Sequence, residues 1–252
     1  MEQVLMSASA LCIATMVGAV IGFAVKELPH KWNDAMLGYC AGIMLAASVM
    51  GLIVPALEMC SLQQSWSVAA GVAVGAIFLN LLDWLTPHLH HVTGLDIEEH
   101  THNSRINRIL LFVMAIALHK FPEGMAAGVS MGPGTDSGNS WMVTFGLALQ
   151  NIPEGMVIVP PLILAGVSTL RTILISLAIG LLEVVGVWAG FALGAISNML
   201  LPAMLGFAGG AMLYVTSDEM IPETHAHGYQ KQATYALLAG FMTLLLVEKA
   251  FE

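Results

Sequence analysis

Long apolar stretches, each ended by a short polar connection, set the pattern of this chain. They fall at about 4–24, 34–57, 66–86, 107–131, 141–165, 172–195, 199–218 and 233–251. At about 1.5 Å of rise per residue, 20 residues cross a hydrocarbon layer of about 30 Å, so each stretch predicts a membrane-spanning helix. The seventh is the least hydrophobic at its end, where SDEMIPETHAHG takes over. Connections are short apart from 87–106 (PHLHHVTGLDIEEHTHNSRI) and 219–232. The pattern predicts an all-α, polytopic membrane protein of eight transmembrane helices, one domain over 1–252.

Composition agrees. The 252 residues are 57% hydrophobic and 10% charged, against about 25% charged for soluble domains. The formal charge of −9 matters less than where the basic residues lie. Lys26, Lys31, Arg105, Arg108, Arg171 and Lys231 fall in the connections on one side, and only Lys249 on the other. Six against one is a positive-inside signal. It places both termini outside and the His-rich 87–106 loop in the cytoplasm. The chain opens MEQ without the basic stretch of a cleaved leader, so the first apolar stretch is expected to stay as a span. Cys12, Cys40 and Cys60 have no CxxC spacing and read as small packing residues. No nucleic acid and no organic cofactor is expected.

Within the fourth and fifth stretches a short motif recurs. ALHKFPEGM at 117–125 and ALQNIPEGM at 148–156 match at six of nine positions, 31 residues apart. Consecutive spans run in opposite directions, so the repeat predicts an inverted structural repeat with helices 4 and 5 central. Such architectures hold their substrate near the bilayer midplane on discontinuous helices. Pro122 cannot donate to the Leu118 carbonyl, nor Pro153 to that of Leu149, which predicts a break in each helix.

His119 and Glu123 stand i, i+4, about 40° apart on one helical face. Glu154 is the repeat-mate of Glu123 and would approach from the facing helix. An imidazole and two carboxylates suit zinc and neighbouring first-row divalent ions. Three protein ligands leave room for water, as release requires. Glu183, in LLEVVGVWAG, is a further lone carboxylate at mid-depth. The bland alternative is structural ion pairing. Each ionisable group at mid-membrane costs about 2.5–3.5 kcal/mol on insertion scales, and four near one plane are hard to explain by packing. For Glu183 alone the structural reading stays open.

HKFPEG and QNIPEG on adjacent helices resemble the ZIP (Zrt-, Irt-like) divalent metal transporters, particularly their bacterial GufA-like branch. The likeness runs from DAMLGYCAGIMLAAS (34–48) through LLDWLTPH (81–88) to SDEMIPETH (217–225). The resemblance implies an eight-helix fold, a cell-membrane (plasma or inner membrane) location and often a homodimer. It maps a primary metal site onto His119, Glu123 and Glu154, with the Met44 thioether as a soft ligand. A second site would use the position of Lys120 with Asn151 and Glu183, bridged by Glu123 and Glu154. Gln150 stands where many members have histidine. His88, His90, Asp218 and Glu219 match positions of an exit relay. Lys120 departs from the family's common asparagine. An ammonium cannot ligate a metal, so Lys120 either takes the second metal's electrostatic place or makes a structural salt bridge. His91, His100, His102, His225 and His227 stay open between solvated side chains and transient ligands.

The expected function is transport of divalent transition-metal cations, zinc uptake towards the cytoplasm foremost, with Fe2+, Mn2+, Co2+ and Cd2+ also open. Glu58 would collect the ion at the outer mouth. The ion would then pass from His119, Glu123 and Glu154 towards Asp83, His88, His90, Asp218 and Glu219. Glycine-rich GVAVGAIF, GFALGAIS and GFAGGAML permit close helix approach and sliding of one bundle against another. The chain has no P-loop or HExxH motif, and no enzymatic activity is expected. A metal-selective channel and an intramembrane metalloenzyme are the rival readings.

Overall fold

A computed structural model describes residues 1–25, 29–85, 120–132, 135, 137–164, 166–195 and 200–251. These residues carry eight helices, as expected. They are α1 (Glu2–Ala24), α2 (His30–Glu58), α3 (Ser65–Leu85), α4 (120–130), α5 (Ser137–Leu164), α6 (Thr169–Gly194), α7 (201–224) and α8 (Gln230–Phe251). The helices α1, α2, α5, α6 and α8 are long and apolar enough to cross a membrane, and α3 carries a shorter apolar run over Ser65–Leu81. Most begin two to four residues before the apolar stretch that marks them, because polar first-turn residues continue a helix beyond the apolar layer.

Two departures from the expected elements share one cause. In α2 the α-helix His30–Ala46 loosens into a π-helical turn over Ala47–Ile53 before Val54–Glu58. In α7, Leu201–Val215 passes through a π-helical turn at Thr216–Met220 into Ile221–Thr224. Pro55 and Pro222 each follow the turn. A missing N–H leaves a carbonyl unpaired upstream, and the wider turn absorbs the lost bond. The polar SDEMIPET segment is therefore helix, not connection. Conversely, α5 stays a continuous helix through Pro153, so the predicted break in the fifth span does not occur. The Cys40 thiol of α2 reaches the neighbouring carbonyl of Gln150 at 3.6 Å.

Glycines spaced four apart set the packing. Added β-carbons at Gly18 and Gly22 of α1 would strike the carbonyls of Ile152 and Met156 in α5. Likewise Gly124 and Gly128 of α4 press on the Glu183 and Val187 carbonyls of α6, Gly38 and Gly42 of α2 on Ala233 and Leu237 of α8, and Gly71 and Gly75 of α3 on Ala203 and Phe207 of α7. The register offset is constant in each pair, so all four pairs are parallel. Small residues allow this backbone-to-backbone approach. The pairings are those of an inverted repeat. The helices α1, α2 and α3 pack on α5, α8 and α7, while α6, α7 and α8 pack on α4, α3 and α2. Between the group α1, α4, α5, α6 and the group α2, α3, α7, α8 the closest glycine contacts are through side chains instead. Val143 lies on Gly51, Leu244 on Gly146, and Leu201 on Gly132 and Gly194.

Candidate metal centre

The hairpin of α4 and α5 brings the repeated motifs together. At one end the Ser140 hydroxyl donates to the Ser130 carbonyl, and at the other Lys120 reaches across to Asn151 and Glu154. The two helices are therefore antiparallel, as an inverted repeat requires. Lys120 is among the largest fully buried side chains. Its ammonium Nζ donates to Glu123 Oε2 at 2.7 Å, to Glu154 Oε2 at 2.6 Å and to Asn151 Oδ1. Two carboxylates from two helices thus converge on one cation.

A shell of amides surrounds this knot. Gln150 Nε2 donates to Glu123 Oε1 at 3.1 Å and to Glu154 Oε1 at 3.5 Å. Its own Oε1 is buried with no hydrogen-bond partner among the described residues. Asn151 Nδ2 donates to both oxygens of Glu183 at 2.9 Å and to the Leu11 carbonyl at 3.3 Å. Glu183 is fully buried on α6 and also accepts from the Thr15 hydroxyl of α1 at 3.4 Å. The network draws on α1, α4, α5 and α6, which are the members of one glycine-paired group. Solvent reaches the carboxylates unequally, with 14% of the Glu154 side chain exposed against 3% for Glu123.

The remaining predicted residues divide. Met44 is buried in the core on the same face of α2 as Cys40, one turn on. Glu58 is exposed at the end of α2. Asp218 is exposed on the π-helical turn of α7, where it lines a shallow groove of ≈ 370 Å³ against α3, and Glu219 follows it half-buried. No hydrogen bond or ion pair among the described residues joins Glu58 or Asp218 to the central carboxylates. Asp83 lies on α3 with its side chain outside the described residues, and His88, His90 and His119 lie outside them entirely. Among the described residues no three His, Cys, Asp or Glu side chains converge on a point set for a metal. Thr15, Cys40 and the Leu11 carbonyl were not singled out by the sequence. Each is an ordinary residue of an apolar stretch, and only the fold brings it to Glu183, to the Gln150 carbonyl and to the Asn151 amide respectively.

Eight helices in parallel glycine-paired sets, five of them long and apolar enough to cross a membrane, define a membrane-integral protein, and its core buries a cation shared by two carboxylates. The ZIP zinc transporter family model matches residues 2–248, and the chain belongs to that family. It is 36% identical over 253 residues to the zinc transporter ZIPB of Bordetella bronchiseptica, covering 94% of this chain and 77% of that protein. To the zinc transporter GufA of Myxococcus xanthus it is 39% identical over 242 residues, covering 93% of each. The zinc transporter ZupT of Chlorobaculum parvum is 29% identical over 247 residues, covering 92% of this chain and 91% of that protein.

Proposed function

We propose that this chain, as a single transporter domain, carries a zinc-class divalent cation across the cell membrane towards the cytoplasm. The cation passes through a midplane site on α4 and α5. One observation carries the reading: Glu123 and Glu154, from antiparallel helices, hold the same positive charge at 2.7 and 2.6 Å. A transition-metal ion asks for that convergence, with His119 as the nitrogen ligand and Met44 as a soft one. Glu154 is the more exposed carboxylate and meets an arriving ion first.

Lys120 takes the electrostatic place of a second metal, so the centre holds one ion and not two. Its ammonium bridges Glu123 and Glu154 and turns Asn151 towards Glu183, as a bridging cation would. Replacing Lys120 with Asn raises the number of zinc ions held by the purified protein. Unchanged stoichiometry would remove Lys120 from this role.

Alternation between outward- and inward-open states follows from how the helices are joined. Backbones lock within each four-helix group and side chains meet between them, so one group can slide on the other. The ion arrives past Glu58 and leaves past Asp83, His88, His90, Asp218 and Glu219. Both termini lie outside, and the protein works as a homodimer. The test is zinc uptake into sealed proteoliposomes by wild type, Glu123→Ala and Glu154→Ala. Uptake that saturates with zinc and collapses in both variants supports a carrier. Equal uptake by all three defeats the reading.

A further inference from the structure

A second cluster of imidazole and carboxylate side chains lies away from the central knot. His30 opens α2, Asp34 follows one turn later, and His227 sits in the turn between α7 and α8, 193 residues from Asp34. The Asp34 side chain is fully buried. Its Oδ1 lies 3.0 Å from His227 Nδ1, while its buried Oδ2 has no hydrogen-bond partner among the described residues. The His30 ring stacks on His227 with centroids 4.5 Å apart and planes 22° from parallel. Leaving a buried acceptor unpaired costs about 1–3 kcal/mol, which packing alone does not explain.

The hydrogen bond settles the chemistry of His227. A carboxylate can only accept, so Nδ1 carries the proton and the lone pair of the neutral ring stands on Nε2. Carboxylate–histidine pairs of this kind orient metal ligands and make them more basic. Nε2 forms no hydrogen bond among the described residues, and 26% of the His227 side chain is exposed. His30 is exposed as well and can turn about its side-chain bonds. Tetrahedral zinc, about 2.0–2.1 Å from each nitrogen, needs the two nitrogens about 3.3 Å apart.

We infer that His30 and His227 bind a zinc-class divalent cation at this end of the bundle, with Asp34 as the positioning residue and water completing the coordination. The ion ties the start of α2 to the α7–α8 connection. In the orientation proposed above, this site faces the cytoplasm, the compartment that receives the transported metal. The inference stands on its own geometry and not on the central centre.

The test is equilibrium dialysis of zinc against the purified full-length protein in detergent, with Co2+ absorption as a second probe. Wild type is compared with His30→Gln, His227→Gln, Asp34→Asn and Glu123→Gln. Each histidine variant is expected to lose one zinc equivalent, which Glu123→Gln retains. Asp34→Asn keeps both histidines but weakens that equivalent about 10–100-fold. His227 holds the buried Asp34, whereas His30 is exposed, so the His30 variant reads binding without disturbing that buried pair. Unchanged stoichiometry and affinity in both histidine variants would overturn the inference. So would a wild type whose only zinc disappears in Glu123→Gln.

Discussion

Removing the buried ammonium should unsettle the protein in a way that added metal repairs. Lys120 Nζ lies 2.7 Å from one carboxylate oxygen and 2.6 Å from the other. By the triangle inequality those oxygens are no more than 2.7 + 2.6 = 5.3 Å apart. In Lys120→Met the two negative charges face each other across that gap. At an effective dielectric of about 20 their repulsion is about 3 kcal/mol or more. Breaking a buried ion pair from one side costs about 3–5 kcal/mol, so the two figures agree. For a chain of this size each kcal/mol moves the melting midpoint by about 2–4 °C, giving an apparent loss of roughly 6–20 °C. The assay is thermal unfolding of the detergent-purified protein, with chelator and with zinc. Zinc at about 100 times its dissociation constant returns about 2.7 kcal/mol. It should raise the variant's midpoint more than that of wild type, whose site already holds a cation. The reasoning fails if Lys120→Met melts within about 2 °C of wild type in chelator, or if zinc stabilises both equally.

Three other outcomes follow from the same contacts. Gly128→Leu places a side chain against the Val187 carbonyl of α6 and should cost at least about 1–3 kcal/mol, read as loss of monodisperse protein in size-exclusion chromatography. Glu183→Gln can still accept from Asn151, so it should slow zinc uptake less than Glu123→Ala; equal rates would place Glu183 in direct contact with the ion. Metal ligands must shed protons before they bind, so zinc affinity of the purified protein should fall as the medium is acidified, as isothermal titration would show.

Most of the spans were legible because a helix that crosses a bilayer needs an apolar run of about 20 residues. The repeated PEG motif likewise disclosed the antiparallel pair α4 and α5. Sequence did not disclose which helices lie side by side, since glycines four apart mark a small-residue face without naming its partner. It also ended the seventh span too soon, because Asp218 and Glu219 lower hydropathy on a helix that Pro222 loosens without stopping. At the centre, Glu123, Glu154, Lys120 and Glu183 could be read from charge in an apolar setting and Asn151 from the family resemblance, but the hand-off from Lys120 through Asn151 to Glu183 could not. Asp34 and His227, 193 positions apart, carry no signal that joins them until the chain is folded.

The buried hand-off binds the fates of distant positions. Asn151 turns its carbonyl to Lys120 and its amide to Glu183, and Thr15 closes the far end. If Lys120 drifts to a neutral side chain, two acids and an amide oxygen lose their common counter-charge at once. Such a change is tolerable only in company with others, so descendants of this chain should exchange these four residues as one inherited block.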